Sequence, residues 1–259
     1  MDYTKELTRF EDYLGKRVSP GTVRVYLNAL RDWFSTLNGG EPSPEAAQRF
    51  VDAQAVAKSA STVNIKAHAI MRWYKWKGKN VDLDCPTVRA PEPEYLNMDQ
   101  FTVVIEACNT ALEEAIIIPL FDTAVRISEL LNLEINDIDW QSKTISVVRK
   151  GGRKEKVNIS DKGLSALGKW LRVRNSQSRR VFMDLTYNDA WWLIKKVGKR
   201  AGIELHPHML RHARAVQMLK SGATLHVVMM HLGHKNINTT ASIYGRYTAA
   251  DLKEDIPSW

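Results

Sequence analysis

The chain has 259 residues, 44% hydrophobic and 25% charged, with a net charge of +8 and two cysteines, Cys85 and Cys108. This is the composition of a folded globular protein with room for one large or two modest domains, and it excludes a disulfide scaffold or a zinc site built on cysteine pairs. The longest apolar run, Ala115 to Phe121, is interrupted by Pro119 and is too short for a bilayer; no signal-peptide stretch opens the chain, so a reduced, cytoplasmic protein without a membrane partner is expected.

The first ninety residues read as helices. After Ser19-Pro20, the apolar residues Val23, Leu27, Leu30, Phe34 and Leu37 recur at steps of three and four, the mark of one amphipathic face. Gly39-Gly40 ends that helix and Ser43-Pro44-Glu45 starts another. A further helix over 61–76 turns Val63, Ala67, Ile70 and Tyr74 inward. Arg24 and Arg31 flank the first face, and Lys66, Arg72 and Lys75 lie outward on the last. These five are candidate phosphate contacts, with a solvated basic face as the alternative. Pro86, Pro91 and Pro93 stiffen 85–95, which reads as a linker between a helical domain over 1–84 and a second domain over 96–259.

Past the linker, 98–112, 113–121 and about 127–133 read as helical. The period then changes. Residues 144–150 are rich in β-branched side chains, Gly151-Gly152 signals a hairpin turn, and 153–159 supply the returning strand. Helices follow around 165–174, 189–201, 208–220 and 225–231. The fold class is mainly α with a small antiparallel β-sheet. Charge is segregated along this half: 91–142 hold one Lys/Arg against 11 Asp/Glu, and 143–200 hold 16 against 4. The basic block, interleaved with Trp170, Trp191 and Trp192, points to a polyanionic partner, nucleic acid.

Four short stretches carry the chemistry. In Thr123-Ala-Val-Arg126 the arginine opens an apolar helix, and Glu129, three residues on, shares its face. The hairpin sets Lys150 beside a glycine turn, with Lys154 as the competing lysine and the basic Arg149 and Arg153 as candidate DNA contacts. In His206-Pro-His-Met-Leu-Arg-His212, His208 and Arg211 are spaced to converge on one anionic group. The histidines could suggest metal, but His208 and His212 lack the intervening glutamate of a helical zinc motif, so no metal is expected. Finally, Leu232-Gly-His234 is followed ten residues later by Tyr244, with Tyr247 close behind.

In this order the stretches resemble the tyrosine recombinase, or phage integrase, family. Its pattern is an arginine in a T-G-x-R-x-S-E-L-like segment, a hairpin lysine, H-x-L-R-H, then L-G-H and a tyrosine. The resemblance covers about 95–247, and the helical region before it is similar to the family's DNA-clamping core-binding domain. It implies an Xer-like or archaeal or viral integrase that cleaves and rejoins double-stranded DNA through a 3′-phosphotyrosine. The reaction would need no cofactor and would run in a homotetramer on two paired sites. Tyr244 would be the nucleophile, Arg126, Arg211 and His234 the clamp on the phosphate, Lys150 the acid for the departing 5′-oxygen, and His208 the manager of the tyrosine proton. Glu129 would support the site. Three positions depart from the pattern: Ala124 stands where glycine is usual, the hairpin carries an extra residue, and the spacing of ten replaces nine. A type IB topoisomerase-like enzyme and a non-catalytic DNA-binding protein of the same fold are the alternatives.

Overall fold

The computed structural model describes residues 3–88, 94–149, 151–183, 185–233, 240, 241 and 244, and the chain divides into two compact units, Met1–Pro91 and Glu92–Trp259. Among the described residues no helix is long and apolar enough to cross a membrane.

The first unit is built from α1 (Thr4–Gly15), α2 (Pro20–Thr36), α3 (Pro44–Ala57) and α4 (Ala60–Trp76). Serine starts the last three: the hydroxyls of Ser19, Ser43 and Ser59 accept the N–H groups of Thr22, Ala46 and Thr62. Proline at the first position of α2 and α3 loses nothing there, because that N–H has no partner within the helix. The inward residues expected from periodicity are buried, apart from Leu37, which packs half-buried on the same core. Trp33 and Trp73 meet edge to face at 5.6 Å between α2 and α4.

The second unit contains α5 (Met98–Glu106), α6 (Ala111–Thr123), α7 (Ile127–Leu131), strands β1 (Ile138–Asp139), β2 (Thr144–Val148) and β3 (Lys154–Asn158), then α8 (Asp161–Val173), α9 (Tyr187–Ala201), α10 (Pro207–Lys220) and α11 (Leu225–Leu232). The first of these helices is shorter than the expected 98–112. Thr110 caps α6 by accepting the N–H of Glu113, and the Glu113 carboxylate turns back to the N–H of Asn109 at 2.6 Å. Two capping bonds outweigh a continuous apolar pattern there. Buried residues Ala115, Ile116, Ile117 and Leu120 line α6, which packs against α8, α9 and α10. The sheet is antiparallel in the order β1-β2-β3. Ile145 lies opposite Val157 and Val148 opposite Lys154, so the hairpin turn falls over 149–153.

Some of the segregated charges meet each other. Glu113 pairs with Arg200 at 2.7 Å, Glu114 with Lys169 at 2.9 Å, Glu129 with Arg149 at 2.8 Å, Asp137 with Lys154 at 2.5 Å and Asp139 with Lys156 at 3.9 Å. The basic block is thus in part the counter-charge of the acidic segment before it, and less of it faces a partner than its composition suggests. Trp170 is also internal: its indole donates to the Val181 carbonyl at 2.9 Å.

Glycine 198 shows how closely α9 docks. A Cβ at Gly198 would lie 2.5 Å from the Leu205 Cβ, 2.6 Å from the Ile203 carbonyl oxygen and 2.9 Å from the Leu205 nitrogen. Gly198→Ala gains about 1 kcal/mol of helix propensity, but overpacking against backbone costs about 1–3 kcal/mol. The variant is expected to melt below the native chain in a thermal scan; an equal or higher Tm would show that the loop 202–206 yields freely.

Candidate active site

The site begins where α6 ends. Ala124 has φ of +50°, the left-handed conformation that suits glycine and costs another residue about 1–2 kcal/mol. That accounts for the family's glycine at this position and identifies Ala124 as a tolerated strain. The turn brings the Ala124 carbonyl to Arg211 and lets Arg126 enter α7 from an extended conformation. Glu129 then folds back. Its Oε2 accepts the Arg126 backbone N–H at 2.9 Å and its Oε1 accepts Arg126 Nη1 at 2.8 Å.

Glu129 is buried, and a second guanidinium reaches it. Arg149 Nη1 donates to Glu129 Oε2 at 2.8 Å. Burial alone would raise the carboxyl pKa, but the hydrogen bonds from Arg126 and the charges of Arg149 and Arg126 win and hold it below the usual range. Arg126 keeps about a third of its side chain open to solvent.

From α10 come the other groups. His206 is its N-cap, with Nδ1 accepting the Met209 N–H at 3.1 Å, so this histidine is occupied structurally. His208 sits exposed two residues on. Local desolvation, then the charges of Arg211, His206 and Arg126, lower its pKa. Arg211 is buried; it donates through Nη1 to the Ala124 carbonyl and through Nη2 to the Leu232 carbonyl at 2.7 Å. Desolvation first, and Arg126 next, bring its pKa down to about 10, which leaves it charged at neutral pH. Tyr244 is buried among Ala124, Ala215, Val216, Leu219, Val228 and Leu232. Its hydroxyl shares a hydrogen bond with His212 Nδ1. The sequence reading gave the tyrosine proton to His208, whereas the structure sets His212 on the hydroxyl. The spacing of His208 and His212 was read only as a metal question, and nothing in the sequence spacing linked residues 212 and 244.

Lys150, His234 and Tyr247 lie outside the described residues. Among the DNA-contact candidates, Arg24, Arg31, Lys75 and Arg153 are exposed and Arg72 is half-buried. Three others have partners within the chain. Lys66 is held by Asp32 at 2.9 Å and Gln54 at 2.8 Å, Lys154 by Asp137, and Arg149 by Glu129 in the interior. Lys154 is exposed, and the Asp137 hydrogen bond raises its pKa, which ill suits the proton donor it competed to be. No cluster of three metal-ligating side chains occurs among the described residues.

Residues 94–251 match the phage integrase family. The chain belongs to that family. A tyrosine recombinase XerA from Saccharolobus solfataricus is 30% identical over 91% of this chain and 85% of its own length. The crystal structure of a XerA recombinase superposes with a TM-score of 0.59 at 27% identity, covering 99% of this chain and 100% of that one. A XerH site-specific recombinase bound to its difH substrate shares the fold, with a TM-score of 0.72 at 20% identity over 90% of this chain and 78% of that one. The topoisomerase-like alternative is not favoured. In this member of the family Arg211 bonds to the carbonyl of the Ala124 turn that leads into Arg126, and Glu129 lies between Arg126 and a further arginine.

His231, at the end of α11, lends the site an acid sensitivity. Its Nε2 is buried without a hydrogen-bond partner among the described residues. Burial, then the charge of Arg214, pushes its pKa down to about 4. An unfolded histidine titrates near ~6.5. The unfolded chain therefore takes up the proton first, and stability present above that value is lost as pH falls from ~6.5 towards 4, by at most about 3 kcal/mol. Urea unfolding at pH 7 and pH 4.5 should show this loss in the native chain and a smaller one in His231→Gln; equal losses in both would assign the slope elsewhere.

Proposed function

We propose that this chain is a site-specific DNA recombinase that cleaves and rejoins double-stranded DNA through a covalent link to Tyr244. It would act in the cytoplasm as a homotetramer on two paired sites, with the helical unit before residue 85 and the unit after residue 95 both meeting DNA. The carrying observation is the placement of a hydrogen-bonded tyrosine hydroxyl in the same unit as two arginines, one half-open and one buried, whose charges act on each other. Membership of the family and the DNA-bound state of the XerH relative support the same reading.

In the reaction the Tyr244 oxygen attacks phosphorus, the bond to the 5′-oxygen breaks, and a 3′-phosphotyrosine and a 5′-hydroxyl result. The phenol has a pKa of about 10, so His212, already on the hydroxyl, accepts its proton. Negative charge gathers on the non-bridging oxygens, and planar guanidinium forks at Arg126 and Arg211 fit those oxygens. Arg211 needs no reorganisation, because the Ala124 and Leu232 carbonyls already orient it. Lys150 is the proposed acid for the 5′-oxygen and His234 a further donor to the phosphate. The bond energy is kept in the phosphotyrosine, so rejoining needs no nucleotide.

On a nicked suicide duplex captured from a randomised pool, the native chain should form a covalent adduct and Tyr244→Phe should form none. Arg126→Ala should slow adduct formation by roughly 10²–10³, the scale of losing one preorganised donor. An adduct with Tyr244→Phe, or native rates with Arg126→Ala, would overturn these roles. Affinity for the same duplex should fall steeply between about 50 and 200 mM salt if several cations meet phosphates; a flat response would remove Arg24, Arg31, Lys75 and Arg153 from the interface.

A further inference from the structure

Arg149 stands where three segments of the second unit meet. It closes the β2 side of the hairpin, its backbone N–H donating to the Arg153 carbonyl at 2.8 Å. Its Nη1 reaches Glu129 Oε2 of α7 at 2.8 Å, and its Nη2 reaches the His231 carbonyl at the end of α11 at 3.3 Å. Its Nε faces Glu155 Oε2 of β3 at 3.8 Å. Gly233 lies directly on it: a Cβ there would stand 2.7 Å from the guanidinium Cζ and Nε. With 6% of its surface exposed, Arg149 is not displayed to DNA.

We propose that Arg149 is a positioning residue for strand cleavage, acting on Arg126 through the carboxylate of Glu129 that the two arginines share. The inference rests on the recombinase reading of the site. Two guanidinium groups meet on Glu129, and Glu155 adds a second, looser carboxylate on the Arg149 side alone. Arg149 supplies the buried partner that Glu129 needs, so the charge of the half-open Arg126 remains for an incoming phosphate. The geometry divides the labour in the same way. Arg149 occupies Oε2 together with the Arg126 backbone, and Oε1 alone meets the Arg126 side chain. Without Arg149, Glu129 would turn both oxygens to Arg126, cancelling its charge and drawing it away from the phosphate. Lysine cannot replace the fork, because one ammonium cannot span Glu129 and the His231 carbonyl as two coplanar donors do.

The test is single-turnover cleavage of the captured duplex by Arg149→Met and Arg149→Lys, with Arg126→Ala for comparison. Each is run on the ordinary diester and on a scissile methylphosphonate, where a methyl replaces one non-bridging oxygen and removes the negative charge. Arg149→Met should bind DNA like the native chain yet cleave the diester roughly 10²-fold more slowly. That deficit should shrink on the methylphosphonate, in parallel with the deficit of Arg126→Ala. Arg149→Lys keeps the charge and the fold and decides the matter if the methionine variant does not fold; it should show a smaller deficit with the same relief. Native rates in Arg149→Lys, or a deficit equal on both substrates, would overturn the positioning role. Failure of the native chain to form any adduct counts instead against the recombinase reading.

Discussion

Everything at this site depends on one buried carboxylate. Glu129 is taken from water, an expense of several kcal/mol for an isolated ion, and is recovered only because a backbone N–H and two guanidinium groups converge on its two oxygens. The convergence fixes the entry to α7, the direction of Arg126 and the seat of the β2–β3 hairpin at once. Removing either arginine leaves the carboxylate under-compensated, and removing the carboxylate leaves two like charges face to face. Such a cluster is a costly way to gain stability. It is a good way to hold a cation in one orientation before a phosphate arrives.

A second constraint runs through the Ala124 turn. The left-handed residue ends α6, points its carbonyl at Arg211 and packs beside Tyr244. Arg211 completes its ties on Leu232, at the end of the helix that leads to Gly233. Arg211, Tyr244 and the turn are therefore brought together around backbone atoms, which tolerate side-chain exchange better than side-chain pairs do. That suits an activity defined by a few residues scattered over 120 positions of sequence.

Much of the fold was legible because its helices announce themselves by period and cap. Val23 to Phe34 and Val63 to Tyr74 repeat at helical spacing, serines precede four of the starts, and Gly151-Gly152 marks the hairpin. The position of the break between α5 and α6 was not, because it is decided by Thr110 and Glu113 capping rather than by apolar pattern. The sheet's short β1 has too few residues to show any alternation. The candidate site residues come from the order of motifs, a one-dimensional signal. Arg149 on Glu129 and His212 on Tyr244 were invisible to it, since each depends on a meeting of side chains far apart in the chain. The charge blocks carry less detail for the same reason: composition records sixteen cations between 143 and 200, but not that Glu113, Glu114, Glu129, Asp137 and Asp139 face five of them.

Tyr244 lies buried among apolar side chains with its hydroxyl on His212, and under the proposed mechanism DNA must reach it there. The central claim, that this residue makes the covalent bond, is tested most directly by digesting the protein–DNA adduct and sequencing the nucleotide-linked peptide by mass spectrometry. The account predicts a peptide carrying the nucleotide on Tyr244 itself. A nucleotide on Tyr247, or on any other side chain, would contradict it.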